Sequence, residues 1–136
     1  MTDQAWLEEY LRAAAAVAGT VHRRQGDGLR LTAAKNIPPK VCEVVNWVPS
    51  GKGMAGQALL TGKAVSTCNL KDDPSAAVRP GARAVDAQAA VALPIPGRDG
   101  MTVAVVGVAW PDSRDLPESE IERLTGLASG LVDVSE

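Results

Sequence analysis

The residues with the most chemistry to offer lie in Gly51-Lys52-Gly53-Met54-Ala55-Gly56, which spells G-x-G-x-x-G, with Asp72 and Asp73 downstream. In a βαβ unit such a run cradles a pyrophosphate while a later acid takes the ribose. Here the run is followed by a Pro- and Asp-rich loop, then by two apolar stretches joined through Pro96-Gly97-Arg98-Asp99-Gly100. That is an antiparallel hairpin, so the glycines read instead as a loop-to-helix entry in another kind of α+β domain. Cys42 and Cys68 have neither a metal-ligand spacing nor that of a disulfide framework. His22 sits beside Arg23 and Arg24 and reads as a surface residue. Asp72-Asp73 reads as a solvated loop, and Glu118, Glu120 and Glu122 as the acidic start of a helix. There is no H-E-x-x-H, G-x-S-x-G or Walker sequence and no evident acid–base residue, so the expectation is a non-enzyme without metal or cofactor.

The elements that must position these groups follow from periodicity. Trp6, Leu7, Tyr10, Leu11, Ala14 and Val17 recur at helical spacing, with Asp3 as the cap. Two strands, 19–25 and 29–34, flank the turn Gly26-Asp27-Gly28, and Leu29, Leu31 and Ala33 alternate as in a half-buried strand. Pro38-Pro39 starts a short helical segment, and Val44 to Val48 reads as a third strand. Met54 to Thr61 is helical with Gly62 as its stop, and Ala64 to Thr67 is strand-like. Asn69 to Ala82 reads as a long loop, followed by strands over 87–95 and 101–110. A last helix starts after Pro117 and has Ile121, Leu124, Leu127, Ala128 and Leu131 on its apolar face.

These elements predict an α+β fold. The central sheet is antiparallel, the N- and C-terminal helices share one face, and the connections between 36 and 86 form a pocket on the other. At 136 residues the chain has room for a single domain, 1–136. A net charge of −2 leaves no basic stripe for a phosphate backbone, and with 3% aromatics and no Phe there is no platform for stacking bases. No apolar run approaches the ~20 residues of a membrane span, and the first residues carry no signal pattern. The expectation is a cytoplasmic protein that engages neither nucleic acid nor membrane.

The chain resembles GAF domains along nearly its whole length. The resemblance rests on Leu29-Arg30-Leu31 with Asn36-Ile37-Pro38, then on Gly51 to Ala58 with Thr61-Gly62-Lys63-Ala64-Val65. It continues in Ala92-Leu93-Pro94-Ile95, Val106-Gly107-Val108 and the helix Glu120 to Ala128. The family implies a sensory module with a small-molecule pocket, and its glycines at 51, 53 and 56 then turn the backbone at a helix start with no phosphate required. A bilin-binding member would need Cys beside His, yet Cys68 precedes Asn69 and Cys42 precedes Glu43. A haem member would need an axial ligand in the pocket, and the cyclic-nucleotide motif includes Phe. The free methionine-(R)-sulfoxide reductases, which are similar in layout, carry cysteines where this chain has Ala55 and, nearby, Val45 and Arg83. A thiolate must attack the sulfoxide and another resolve it, so that activity is not expected.

The reading is therefore a non-enzymatic sensory domain that binds an unidentified small molecule and signals through a dimer or a partner protein. Two alternatives stay open: a reductase-like enzyme or redox sensor using Cys68 and Cys42, and a ligand-free dimerisation or docking module. Trp47, Gln57, Thr67, Asn69, Asp72, Arg83, Asp86 and Gln88 are the candidate polar lining, over space left by Ala90 and Ala92. Arg83 suits a carboxylate or phosphate ligand. The run Ala13 to Ala16 and the pair Gly126 and Gly130 give the terminal helices small-residue stripes, the expected homodimer contact.

Overall fold

The computed structural model describes residues 2–67, 89–112 and 116–133. Helix α1 (Asp3–Ala13) leads into strands β1 (Ala18–Gln25) and β2 (Gly28–Lys35). Helix α2 (Pro39–Val44), strand β3 (Trp47–Pro49), helix α3 (Gly53–Thr61) and strand β4 (Val65–Thr67) follow. Strands β5 (Ala89–Pro96) and β6 (Thr102–Trp110), helix α4 (Glu118–Ala128) and a 3-10 turn (Ser129–Asp133) complete the order. The six strands form one sheet in the order β3-β2-β1-β6-β5-β4, and every pairing is antiparallel. The two hairpins thus meet along β1 and β6, as the antiparallel reading requires.

Residue alternation divides the central strands between two covered faces. Val21, Val91, Leu93, Ile95, Val106, Val108 and Trp110 point into the main core with Trp6, Leu7, Tyr10 and Leu11 of α1 and Leu124 and Ala128 of α4. Trp6 and Tyr10 stack at 4.9 Å, and the Tyr10 hydroxyl donates to the Leu124 carbonyl at 3.0 Å. The terminal helices therefore share one face of the sheet. Opposite them, Leu29, Val48, Ala58, Ala92 and Val105 form a second core with Met54, Ala55 and Leu59 packed against it. The segment between β2 and β4 covers that side.

Three local expectations change. Thr2, not Asp3, caps α1, its hydroxyl accepting from Ala5 N at 3.1 Å. Asp3 instead turns inward and pairs with Arg23 at 2.7 Å. The run Ala13 to Ala16 is not a helical stripe. Helix α1 stops at Ala13, and Ala15 takes the left-handed conformation at φ 55°. Bonds from Ala16 N to Leu11 O and from Ala15 N to Arg12 O close the end in the manner of a Schellman motif without its usual glycine. The third strand is shorter than the apolar run suggested, because Val44 ends α2 and Val45 caps it, accepted at Val41 O. Pro39 fixes the first turn of that helix, which periodicity alone could not separate from a strand.

Candidate functional site

The second face of the sheet is floored by residues with almost no side chain. Ala18 packs there with Ala90 and Ala109. Gly107 leaves room for the Thr20 hydroxyl, which would lie 2.6 Å from a Cβ placed on it. Paired strands bring these positions together: Ala90 faces Ala109, Ala92 faces Gly107, and Gly107 faces Thr20. Around these positions Val91, Leu93, Val106, Val108 and Trp110 belong to the core on the helical face, so a hollow remains on this one. It is a cavity of roughly 150 Å³ lined mainly by apolar groups, with Ile37, Val41 and Val45 above the floor and Lys52 to Ala55 at one end. Among the described residues the polar ones lining it are Thr20, His22 and Lys52.

The end wall is built by the G-x-G-x-x-G segment. Gly51 and Gly53 have φ of 88° and 64°, a region other residues rarely adopt. Gly56 lies so close to the turn that a Cβ would meet Pro49 O at 2.6 Å. Gly51 N donates to Gly56 O at 2.8 Å, fastening the loop to the helix it introduces. All three glycines thus serve backbone geometry at the start of α3. That helix has no side-chain cap and no acid in its first turn. Consequently the N–H groups of Gly53, Met54 and Ala55 find no acceptor among the described residues.

His22 corrects the expectation of a surface residue. It is 3% exposed, and its ring faces the cavity side of β1 while Val21 and Arg23 face the helices. Its Nε2 lies 2.8 Å from Val45 O. A carbonyl only accepts, so Nε2 carries the proton and Nδ1 is a bare acceptor. That Nδ1 is buried and has no hydrogen-bond partner among the described residues. Burial pushes the His22 pKa below its ordinary 6.5, opposed by the bond to Val45. The neighbouring arginines concealed this in the sequence, because Arg23 lies on the opposite face with Asp3.

The sign of that shift predicts a pH response. Above about pH 6.5 the ring is neutral in both states. As pH falls from 6.5 toward the lowered folded value, the unfolded chain binds the proton first and stability drops. One proton limits the slope to about 1.4 kcal/mol per pH unit. Urea midpoints measured between pH 7.5 and 5.5 should fall in the wild type and fall much less in His22→Gln. An equal slope in both proteins would place the titration elsewhere.

Of the other sequence candidates, Trp47, Gln57 and Thr67 are described and none of them lines this cavity. Trp47 is 45% exposed on β3 and covers Gly28, where a Cβ would meet its ring at 2.5 Å. Gln57 faces away into its own loop, its Nε2 donating to Gly51 O at 2.9 Å. Thr67 ends β4. Asn69, Asp72, Arg83, Asp86 and Gln88, with Cys68, lie outside the described residues. Cys42 is partly buried on α2 with its Sγ 3.7 Å from Ile37 O. Val45 and Ala55, at or near reductase cysteine positions in the resemblance, both line the cavity with apolar side chains. Among the lining residues the sequence reading missed are Thr20, His22, Gly107 and Ala109. No cluster of three or more metal-ligating side chains occurs among the described residues, and no helix there is long and apolar enough to cross a membrane.

An antiparallel sheet carrying terminal helices on one face and a roofed hollow on the other defines a class of small α+β sensory folds. The GAF domain model matches residues 4–134, and the chain belongs to that family. No curated protein is similar in sequence. Among solved structures, the GAF domain of Acinetobacter phosphoenolpyruvate-protein phosphotransferase is similar at a TM-score of 0.74 and 17% identity, covering 96% of this chain and 77% of that one. A type II free methionine-R-sulfoxide reductase from Thermoplasma acidophilum is similar at 0.72 and 14%, covering 96% and 86%. A GAF domain/HD domain protein from Geobacter sulfurreducens is similar at 0.70 and 12%, covering 94% and 88%. At these identities the likeness is one of fold.

Proposed function

We propose that this GAF domain is a non-enzymatic, cytoplasmic sensor that takes a small molecule into the cavity over Ala90, Ala92, Gly107 and Ala109. The observation that carries the reading is the floor itself. Four facing positions on two central strands are reduced to Ala or Gly while their neighbours on the other face stay large. A fold that needed only stability would fill this space, since voids cost packing energy. The chemistry of a reductase finds no support at Val45 or Ala55, which bring no thiol to the cavity. A screen of compounds of about six to ten heavy atoms by amide-resonance shifts should find ligands that perturb Thr20, Met54 and Ala92 together. Ala90→Leu places an isobutyl group in the cavity and should weaken those ligands at least ten-fold without loss of fold. Failure of every compound to move these resonances would reject the sensor reading. Turnover of free methionine sulfoxide in a thioredoxin-coupled assay, abolished by Cys68→Ser, would replace it with the reductase reading.

The signal passes through a homodimer formed by the terminal helices. On α4, Leu127 is 43% exposed, and a Cβ at Gly126 would meet nothing within 4 Å. Glu at 126 therefore fits the folded chain and improves helix propensity over Gly. Sedimentation equilibrium at micromolar concentration should give about twice the 14.1 kDa chain mass, and Gly126→Glu should shift it toward monomer. A single-chain mass at every concentration removes this mechanism.

A further inference from the structure

We infer that residues 37–45 form a lid over the cavity, hinged at Asn36 and Asn46 and latched shut by the hydrogen bond from His22 on the sheet to the Val45 carbonyl. What passes beneath the lid rests on the small-molecule reading above, whereas the lid itself rests on its own bonds. Ile37, Val41 and Val45 line the cavity. The other side of the segment faces solvent, with Pro38, Pro39, Lys40, Glu43 and Val44 all exposed. Both ends are fixed to the sheet. The Asn36 side chain donates to Val17 O at 2.7 Å, and Asn46 O accepts from Leu31 N at 2.9 Å. Asn36 takes the left-handed conformation at φ 56°, so the chain leaves β2 by a sharp turn at a residue type suited to it. Between the anchors the segment bonds to itself: Val41 N and Cys42 N donate to Pro38 O, Val45 N to Val41 O and the Cys42 thiol to Ile37 O. Among the described residues one hydrogen bond joins 37–45 to the rest of the chain, from His22 Nε2 to Val45 O at 2.8 Å. The segment can therefore lift as a unit. Because its apolar side borders a hollow, it gives up little buried contact when it does, which places it among the least stable parts of the molecule.

His22 makes the latch responsive to acid. Its Nε2–H is committed to Val45 O, so a second proton must sit on Nδ1, which is buried with no partner among the described residues. Lifting the lid gives the ring water, and the open state then takes that proton more readily than the closed one. The described groups around the ring do not oppose this. Leu31 of β2 and Val105 of β6 flank it in the sheet. Arg23 lies on the opposite face with Asp3, and Arg24 is exposed with its Nε donating to Gly26 O. Of the titratable residues on the lid, Lys40 and Glu43 are exposed and Cys42 turns its thiol to Ile37 O. Lys52 lines the same cavity. The influences on the His22 pKa are burial, which lowers it, and the bond to Val45, which raises it. Acid therefore favours opening below the ordinary value of 6.5, by at most about ten-fold per pH unit for a single proton.

Native-state amide hydrogen exchange on the intact protein tests the lid. Val41, Cys42 and Val45 report on it, since their acceptors lie within the segment, and the amides of β6 report on the sheet. At pH 7.5 the lid amides should exchange about ten-fold or more faster than those of β6, at a rate that low urea leaves unchanged while β6 exchange rises. Corrected for intrinsic rates, lid protection should fall several-fold more than β6 protection between pH 7.5 and 5.5. His22→Leu removes the donor and should open the lid about ten-fold further at pH 7.5, with no pH response. His22→Gln keeps an N–H that does not titrate, so it should restore most of the protection but not the pH response. The wild-type profiles decide the matter even if His22→Leu fails to fold. Lid amides that exchange only together with the sheet, or lid opening that ignores pH, would overturn the inference. Benzene, about the size that an apolar cavity of roughly 150 Å³ holds, separates the lid from the sensor reading. Bound benzene should slow lid exchange in proportion to its occupancy. Benzene that shifts Thr20, Met54 and Ala92 without slowing the lid would overturn the lid and leave the sensor reading intact. A latch-dependent lid beneath which neither benzene nor any screened compound binds would uphold the lid and reject the sensor reading.

Discussion

Asp3→Ala should lower the unfolding free energy by about 3 kcal/mol, the low end of what breaking a buried ion pair costs. The Asp3 side chain is 3% exposed and Arg23 20%. Arg23 grips the carboxylate with Nε at 2.9 Å and Nη2 at 2.7 Å, and Thr32 Oγ1 donates at 2.6 Å. Arg23 Nη2 also reaches Leu131 O at 3.5 Å. One carboxylate therefore joins the first helix, two strands and the C-terminal turn. Removing it leaves a largely desolvated guanidinium with a lost partner, although the exposed fifth of Arg23 softens the penalty. The double variant Asp3→Leu/Arg23→Met should recover much of the loss, because well-packed apolar groups replace a buried pair at little cost. The Arg23 hydrogen bonds hold the Asp3 pKa below 3.8 against burial, with Thr32 assisting. Stability from this group is then complete above pH 3.8 and lost as pH falls through the lowered value, a loss absent in Asp3→Ala. Urea denaturation at pH 7 and at pH 3 measures both effects. A change below 1 kcal/mol at pH 7 would mean the pair behaves as a surface salt bridge.

Asp3 also shows where the sequence stopped being informative. An acid before an apolar periodic run is a good helix cap, and nothing local says that Thr2 will take that part while Asp3 turns to a strand 20 residues away. The same limit hid His22, since a strand covered on both faces buries neighbours of either sign and alternation no longer separates inside from outside. Features decided within a few residues were readable: Gly62 ends α3 at φ 68°, and the glycines of 51 to 56 turn the chain. The cavity floor was half readable. Ala90 and Ala92 announce a small face on one strand, but Gly107, Ala109 and Thr20 join them only through a register that sequence does not print. The run Ala13 to Ala16 misled for a related reason. A string of good helix formers gave no sign that the helix would close on Ala15 in a left-handed turn.

Trp110→Ala should cost about 3–5 kcal/mol, the range for emptying a large aromatic site in a core. Trp110 is fully buried at the end of β6, beside Ala109 in sequence but on the opposite face of the sheet. Its Nε1 donates to Ala14 O at 3.1 Å, a carbonyl at the C-cap of α1 that the helix itself leaves unpaired. The ring thus anchors the first helix to the strand that floors the cavity. Two physical contributions can be separated by substitution. Trp110→Phe keeps most of the apolar contact and removes the donor, so it should cost about 1–3 kcal/mol for the stranded carbonyl and the partial void. Trp110→Ala adds the loss of the ring. Against a total stability of about 5–15 kcal/mol, the alanine variant should unfold at a clearly lower urea midpoint than the phenylalanine variant. The void it opens lies on the helical side, so any Trp110→Ala that remains folded should still bind cavity ligands with nearly unchanged affinity. Equal losses for Phe and Ala would assign the whole effect to the hydrogen bond, and ligand affinity falling with stability would show that the two faces of the sheet are not independent.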